Sequence, residues 1–476
     1  MERRIGSDTF TYSLDALKDI VREALDYAQS RGATGAEVEA SEGVGQSVTV
    51  RLGSVETIEY NRDKGVGITV YVGKQRGHAS TSDLAAGPVR SAVDAALSIA
   101  RLTASDEYSG LADPDLLATQ FPDLDLFHPW SLEVEEAIER ARICEQAALD
   151  ADRRVANSEG ATVSAQQSHF AYGNTHGFLS GYPSSRHMVS CAVIAGKDEN
   201  MQRDDWWSVA RAAQDLEPVA QIGSRAGERA ARRLGARKIG TVQVPVLFET
   251  TVASGLLGHF VAAVSGGSLY RRQSFLPDSL GKPVFPGFVR ITDDPTVARG
   301  LASSAFDDEG VATRRREVVK DGVLQGYFLG TYSARKLGMR STGNAGGNHN
   351  LVMDSTGEDF LALLRRMNRG LLVTDLLGQG VNMALLDARA LADALATETD
   401  LAAALAAYAR RRRWHVRLYQ ALSLGFTPFY QGDGRLLPWV RDHLLGKVAR
   451  LPFSPRLLAA TVSGLLLDPR TTGGGR

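Results

Sequence analysis

Residues 343–350, with the sequence GNAGGNHN, form the stretch of the chain best suited to recognition chemistry. Three glycines and three asparagines occur in these eight residues. That composition predicts backbone in unusual conformations that presents bare N–H and C=O groups, as close approach to another peptide requires. The alternative is a long, irregular connection on the surface.

Two catalytic arrangements can be tested directly on the sequence. Zinc proteolysis uses two imidazoles one helical turn apart with a carboxylate base between them, as in His-Glu-x-x-His. None of the nine histidines is followed by Glu, so this motif is absent. Ser333 and Lys336 fit S-x-x-K, in which the lysine activates a serine nucleophile. The companion K-T-G and S-D-N elements are missing, so we expect Ser333 to cap a short helix instead.

Composition and charge narrow the class of protein. The 476 residues should hold two or three domains. A hydrophobic content of 43%, a charged content of 23% and a net charge of -1 are typical of a soluble protein and give no electrostatic reason to expect nucleic acid as a partner. Cys144 and Cys191 suit a reducing compartment. Without an apolar leader or a membrane-spanning stretch, we expect a cytoplasmic protein with no stable membrane insertion.

The elements that must position the loop follow an α+β pattern. The first hundred residues alternate a helix, antiparallel strands and a second helix, which favours α+β over a doubly wound sheet. Before residue 235 the predicted elements are helices 14–31, 84–102, 132–152 and 206–234 and strands 36–52, 54–59, 65–73 and 155–194. Further strands are predicted at 240–248 and 323–329, and a short helix at 331–337.

The sequence pattern becomes helical after Asn382. Residues 383–413 form one long amphipathic pattern, and apolar helical patterns follow at 436–451 and 455–467. These segments predict helices packed on the preceding domain or resting on a membrane interface. The predicted domains are therefore 1–238, 239–382 and a helical tail at 383–476.

The stretches 327–351 (YFLGTYSARKLGMRSTGNAGGNHNL) and 370–382 (GLLVTDLLGQGVN) closely resemble the TldD/PmbA family, and within it the TldE (PmbA) branch. The resemblance covers about residues 10–382. It implies a two-domain α+β body with antiparallel sheets and glycine-rich loops. It also implies the catalytically silent, non-metal subunit of a heterodimeric zinc metallopeptidase that cleaves unfolded or extended peptides, with zinc and the catalytic base in a TldD-like partner.

The resemblance also locates the position at which the TldD branch has its metal helix. This chain has the sequence ETTVASGL at 249–256, so the two ligand histidines are replaced by Glu249 and Ser254 and the base by Thr250. One carboxylate and two hydroxyls do not make a tetrahedral, nitrogen-rich zinc site, so we expect no metal and no cofactor in this chain. The resemblance implies that these residues contact substrate or partner: Tyr332, Arg335, Asn344, Gly346, Gly347, His349 and Asn350.

Residues 378–476 resemble something else. The run GQGVNMALLDARALADAL is similar to the C-terminal end of FAD-dependent hydroxylases of the ubiquinone-biosynthesis type, which predicts a fusion within 378–382. The alternative function is therefore an FAD-dependent hydroxylase fragment. No G-x-G-x-x-G opens a helix after a strand, so the dinucleotide fold that such an enzyme needs is absent from the sequence. A scaffold that never touches substrate is a third possibility.

Overall fold

The computed structural model describes residues 10–235, 240 and 242–374. The chain divides into two compact units. The first contains Met1–Val242 and Leu257–Asp359, and the second contains Gln243–Leu256 and Phe360–Arg476. The predicted tail at 383–476 and the predicted junction at 378–382 lie outside the described residues. The domain boundaries predicted at 238 and 382 stay predictions.

A six-stranded antiparallel sheet forms the base of the first unit. The strands are β1 (Gly35–Arg51), β2 (Ser54–Val72), β3 (Gln75–Thr81), β4 (Val155–Asn174), β5 (Leu179–Ala195) and β6 (Gln202–Ala210). Their spatial order is β3-β2-β1-β4-β5-β6, in which β1 and β4 are the neighbours that are not consecutive in the chain. This architecture confirms the predicted α+β class with antiparallel sheets.

Four helices cover one face of this sheet in two pairs. They are α1 (Leu14–Ser30), α2 (Ala86–Leu102), α3 (Val134–Asp150) and α4 (Val219–Arg232). α1 begins where the Ser13 hydroxyl accepts a hydrogen bond from the Ala16 N–H (3.1 Å). Its buried residues, such as Leu17, Val21 and Ala28, recur at helical spacing and face the sheet. α1 and α2 share one hydrophobic core with the sheet, and α3 and α4 share a second.

The pairing of α3 with α4 depends on two glycines. A Cβ at Gly223 would collide with the Cys144 carbonyl, and one at Gly227 would collide with the Ala148 carbonyl. The two helix backbones therefore approach more closely than side chains would allow. Cys144, in α3, and Cys191, in β5, are free thiols buried in the core that these two helices share with the sheet.

A smaller sheet and three helices complete the first unit. The strands of this sheet are β8 (Ile291–Asp294), β9 (Arg316–Lys320), β10 (Val323–Leu324) and β11 (Asn350–Met353). Their spatial order is β10-β9-β8-β11. The helices are α5 (Thr250–Val264), whose first residues belong to the second unit, α6 (Gly266–Tyr270) and α7 (Thr331–Lys336). A third hydrophobic core, including Phe260, Ile291 and Leu329, holds these elements together.

The described part of the second unit is small. β7 (Val246–Phe248) pairs in parallel with β12 (Leu371–Val373), and α8 (Phe360–Met367) precedes β12. Across the described residues of both units, no helix has the length and apolar character needed to cross a membrane.

Several predicted elements were wrong. The strands predicted at 54–59 and 65–73 are one strand, β2, because the polar residues between them keep pairing with β1, as in Asn61 with Gly45. The helix predicted at 206–234 begins only at Val219, because residues 202–210 pair with β5 as the edge strand β6. Among the described residues of the strands predicted at 240–248 and 323–329, those in strands are Val246–Phe248 and Val323–Leu324.

Candidate functional site

The carboxylate of Asp293, in β8, anchors the loop 343–350. Asp293 is 1% exposed and accepts hydrogen bonds from the His349 N–H (2.7 Å) and from Asn344 Nδ2 (3.0 Å). Nδ1 of His349 lies 3.2 Å from the same carboxylate. Burial opposes ionisation, but the hydrogen bonds from His349 and Asn344 outweigh it and hold the pKa of the Asp293 carboxyl below its ordinary value. One anion therefore fixes both ends of the loop.

Asn344 uses both ends of its carboxamide. Its Oδ1 accepts hydrogen bonds from Arg316 Nη2 (2.7 Å) and from the Thr342 hydroxyl (2.9 Å). Its Nδ2 donates to Asp293 and to the Gly347 carbonyl (3.0 Å). Burial lowers the pKa of Arg316 to about 10, although the charge of Asp293 opposes this. An amide can accept from a cation and donate to an anion at once, and this explains an asparagine at this position.

The backbone of the loop has the unusual conformations that its composition predicted. Gly343, Gly346 and Gly347 have φ angles of 72°, 91° and 127°, all in the region that favours glycine. A Cβ at Gly346 would collide with the carboxylate of Asp308. Gly346 and Gly347 are exposed, whereas Asn344 is buried. The loop therefore presents backbone at its tip and turns the Asn344 side chain inward.

Residues 307–309 hold the middle of the loop. The carboxylate of Asp307 accepts hydrogen bonds from the N–H groups of Ala345 (2.9 Å), Glu309 (3.0 Å) and Val311 (2.9 Å). The Asp308 N–H donates to the Ala345 carbonyl (3.3 Å). Burial raises the pKa of Asp307 to about 7; its three N–H donors oppose the rise and the nearby Glu309 carboxylate adds to it. Asp307 therefore titrates close to neutral pH.

A carboxylate of the large sheet lies near this segment. Glu37, in β1, accepts hydrogen bonds from the phenols of Tyr71 and Tyr172, both at 3.0 Å. Burial raises the pKa of Glu37; the two phenols oppose the rise and the charge of Glu309 adds to it. Glu309 in turn accepts a hydrogen bond from the Thr331 N–H (2.7 Å), at the start of α7. The loop, α7 and the sheet thus meet around carboxylates.

Asn350 continues the loop into β11. It pairs with Asp294 in β8, and its Nδ2 donates to the Asp294 carbonyl (2.7 Å) and to the Ser303 hydroxyl (2.7 Å). Its Oδ1 accepts a hydrogen bond from the Ala302 N–H (3.1 Å). These contacts place Asn350 beside the anchored loop and join it to residues 302–303.

Tyr332 and Arg335 lie apart from the loop, on α7. Arg335 donates to the carbonyls of Gly110 (3.2 Å) and Leu111 (2.7 Å) and to the Asp113 carboxylate (2.9 Å). The Tyr332 hydroxyl donates to Asp106 (2.7 Å). Tyr332 also lines a cavity of about 860 Å³, and Arg335 ties α7 to the connection that follows α2.

The structure thus brings together Asn344, Gly346, Gly347 and His349, with Asn350 next to them. Contact of any of the seven predicted residues with substrate or partner stays a prediction. Sequence reasoning missed Asp293, Asp307 and Arg316, which bond to the loop, and Glu309, which bonds to the start of α7. Two sequence signals could have indicated the carboxylates: the pair Asp293-Asp294 directly after the strand-like run FVRIT at 288–292, and the acidic run DDEG at 307–310.

A groove runs beside the start of the loop. Its volume is about 500 Å³, and part of its wall is formed by Leu117, Val311, Ala312, Thr313, Thr342 and Gly343. Leu117 and Val311 form an isolated antiparallel bridge in this wall. The groove is lined by both backbone and side chains, which is the kind of surface to which an extended peptide can bind.

Residues 249–254, at the position compared above with the metal helix of the TldD branch, bond to one another. The Glu249 carboxylate accepts hydrogen bonds from the Thr250 hydroxyl (3.0 Å) and from the N–H (3.1 Å) and hydroxyl of Thr251, at the N-terminus of α5. The Ser254 hydroxyl donates to the Thr251 carbonyl (2.9 Å). Glu249 therefore caps the helix. One carboxylate among hydroxyls does not fit the nitrogen-rich tetrahedral site of a zinc peptidase. Within 10–235 and 242–374, no three His, Cys, Asp or Glu side chains are grouped to hold a metal.

Models of the domains of a known protein family match this chain. Three models of the PmbA/TldA metallopeptidase match the chain: domain 1 over residues 36–100, the central domain over 127–234 and the C-terminal domain over 241–398. The chain belongs to the PmbA/TldD metallopeptidase family.

Two relatives differ in how similar their sequences are to this chain. Metalloprotease PmbA of Escherichia coli O157:H7 is 46% identical over 366 residues, which are 77% of this chain and 81% of that protein. A metalloprotease TldD homolog of Haemophilus influenzae is 24% identical over 312 residues, 63% of this chain and 64% of that protein. In identity the chain is thus nearer to this PmbA than to this TldD homolog.

Solved structures share the fold. A crystal structure from Bacteroides thetaiotaomicron has a TM-score of 0.71 at 27% identity and covers 75% of this chain and 82% of that chain. TldE from Thermococcus kodakarensis has a TM-score of 0.65, with the same coverage of both chains. At 19% identity, the likeness to TldE concerns the fold alone.

Proposed function

We propose that this chain is the TldE-like, non-metal subunit of a cytoplasmic, two-subunit zinc peptidase that cleaves unfolded or extended peptides. Its partner is a TldD-like subunit that holds the zinc and the catalytic base. Membership of the family and the higher identity to PmbA than to the TldD homolog support the pairing.

The observation that carries this proposal is the cap formed by Glu249. In a zinc peptidase the metal ligands must point together at one ion. Here the carboxylate bonds to Thr250 and Thr251 at the start of its own helix, and Ser254 bonds back to the Thr251 carbonyl. These side chains stabilise α5 locally, and the metal chemistry belongs to the partner.

The loop 343–350 then acts on peptide through its backbone. Asn344 and His349 are used to dock the loop on Asp293, so they are not free to read a substrate side chain. The exposed backbone of Gly346 remains available for main-chain hydrogen bonds of the kind that add a strand to an edge, whereas the N–H and carbonyl of Gly347 bond to Asn344 within the loop. Contacts of this kind suit peptides of varied sequence.

The test is co-expression of the full chain with a TldD-like subunit from the same genome. We expect the two to co-purify, with zinc and hydrolysis of an unstructured peptide in the complex and neither in this chain alone. Zinc bound stoichiometrically by this chain alone would refute the non-metal assignment. A chain that remains separate from the partner would refute the pairing.

A variant sharpens the assignment of the metal. In the complex, Glu249→Gln keeps an oxygen that can cap the helix but removes the negative charge with which a carboxylate binds a metal. We expect the zinc content of the complex to stay unchanged. Loss of zinc from a complex that still assembles would place a ligand in this chain, contrary to the proposal.

The alternative, an FAD-dependent hydroxylase fragment, depends on residues 378–476. These lie outside the described residues, so the alternative stays a prediction. The absorbance spectrum of the purified full chain distinguishes the two functions, because bound flavin would make the protein yellow.

A further inference from the structure

A patch of polar side chains lies inside the first unit, between the large sheet and its helices. Glu42 and Gln46 come from β1, His169 and Gln167 from β4, and His187 from β5. Glu42 pairs with His169, Val44 with Gln167, and Ala165 with both Gln46 and His187. Because paired residues point to the same face of a sheet, all five polar side chains face the helices.

Six polar atoms of this patch have no hydrogen-bond partner in the described part of the chain. Gln46 and His187 are 0% exposed, Gln167 is 2% exposed and His169 is 4% exposed. The six atoms are Gln46 Oε1 and Nε2, Gln167 Oε1 and Nε2, His169 Nε2 and His187 Nδ1. An unsatisfied buried polar atom is costly, and native proteins leave few of them. Six within three neighbouring strands need a common explanation.

The patch is roofed by aromatic side chains. Phe10 stacks on His169 with ring centroids 3.9 Å apart, and Trp130 lies edge-on to His187 at 5.4 Å. Nε2 of His187 bonds to the His128 carbonyl (2.8 Å), which leaves Nδ1 directed elsewhere. The α1/α2 core lies on one side of the patch and the α3/α4 core on the other. The patch therefore occupies the seam between the two helix pairs.

The charge states of the groups in the patch favour a neutral molecule between them. Burial lowers the pKa of both His169 and His187, so both rings are neutral at pH 7. The Glu42 carboxylate already accepts hydrogen bonds from the N–H groups of Thr11 (2.9 Å) and Tyr12 (3.1 Å). It lies 3.6 Å from His169 Nε2, which is too far for a direct hydrogen bond.

We propose that Gln46, Gln167, His169 and His187 enclose an internal water site that joins the two helix pairs across the sheet. Water donates and accepts at once, as two carboxamides and two neutral imidazoles require. A buried water makes about three hydrogen bonds, so six unpartnered atoms correspond to about two waters. The site is independent of the peptidase role.

A crystal structure of the full chain, at a resolution that shows ordered water, tests the proposal. We expect water density within hydrogen-bond distance of both glutamine amides and of at least one of the two imidazole nitrogens. Amides that bond to each other or to protein groups, with no density between them, would overturn it.

The double variant Gln46→Met and Gln167→Met gives a second, independent test by thermal unfolding. If the site holds water, the substitutions leave that water with only the histidines of the four residues as hydrogen-bond partners, and the thermal midpoint stays equal or falls. If the site is dry, removing four unsatisfied polar atoms raises the midpoint by about 5 °C or more, which would overturn the proposal. Gln166→Met is the matched control, because Gln166 lies on the opposite face of β4 and bonds to Ser164 (3.2 Å).

Discussion

The substitution Asn344→Ala tests whether the loop is held by its inward side chains. The change removes the hydrogen bonds from Arg316 and Thr342 and those to Asp293 and the Gly347 carbonyl. Asp293 keeps its bond from the His349 N–H (2.7 Å), and water can reach the exposed Gly347. The group that loses most is the buried guanidinium of Arg316, whose Nη2 is left without its acceptor.

The magnitude follows from that inventory. A buried charged donor without its partner costs about 2–3 kcal/mol, and the smaller losses bring the total to about 3 kcal/mol. Arg316 retains the Asp293 carboxylate at 3.8 Å and the Phe328 ring at 5.0 Å, which keeps the cost from rising further. For a chain of 476 residues, with an entropy of unfolding of about 1 kcal/mol/K, we expect the thermal midpoint to fall by roughly 3 °C.

The assay is thermal unfolding of the full chain beside two matched variants. Asn348→Ala is the control, since the Asn348 side chain makes one local bond, to the His349 carbonyl (2.7 Å), and should cost less than about 1 kcal/mol. Asn344→Asp keeps an acceptor for Arg316 but sets a second carboxylate beside Asp293, so it should still destabilise, through like charge at Asp293 instead of through an unpartnered guanidinium. Equal midpoints for Asn344→Ala and Asn348→Ala would refute the role assigned to Asn344.

Three further predictions concern Gly346 in the loop, Arg335 on α7 and the titration of Asp307. Gly346→Ala should cost about 1–3 kcal/mol in urea unfolding, because φ is 91° and the Cβ meets Asp308; Gly338→Ala (φ 65°, open space) should cost less. Arg335→Ala should cost about 2–4 kcal/mol and make residues 103–115 more sensitive to protease, because it removes the contacts that tie α7 to this segment. The pKa of Asp307 is raised to about 7, so the folded state binds this proton more tightly than the unfolded state, and stability is lost as pH rises from about 4 to 7. The thermal midpoint of Asp307→Asn, relative to that of the wild type, should therefore rise between pH 5 and pH 8. A difference between the two midpoints that does not change with pH would contradict this.

The sequence predicted the class of fold better than the limits of its elements. α1 was predicted at 14–31 and runs over Leu14–Ser30, because its cap and its apolar spacing are local signals. β2 was divided in two because its polar middle resembles a turn. That middle is held in the strand by pairing with β1, which depends on the register between residues far apart in sequence.

The edge strand β6 shows the same limit. Its two tryptophans and its acidic residues give no clear alternation, so the run resembled the start of the helix that follows. Pairing with β5, from Gln202 to Ala210, decides its conformation, and this partner ends seven residues earlier in the chain. Tertiary pairing therefore overrode the local pattern.

The candidate site likewise has one feature that the sequence predicts and one that it does not. The glycines predicted unusual backbone in the loop, and the φ angles confirm it, because this property belongs to the residues themselves. The inward direction of Asn344 could not be predicted, since it depends on Asp293, 51 residues away in the chain. A loop rich in asparagine suggests side chains offered to a ligand, whereas here Asn344 is used to hold the loop.

This arrangement bears on how a subunit without metal can contribute to a peptidase. A loop that were free to move would have to be ordered when peptide binds, at a cost of about 1–2 kcal/mol for each residue fixed. Here Asp293 and Asp307 have already fixed it within the chain. Under the proposed function, the exposed backbone of Gly346 is therefore set in place before peptide arrives, and main-chain contacts there would hold peptides without selecting their side chains.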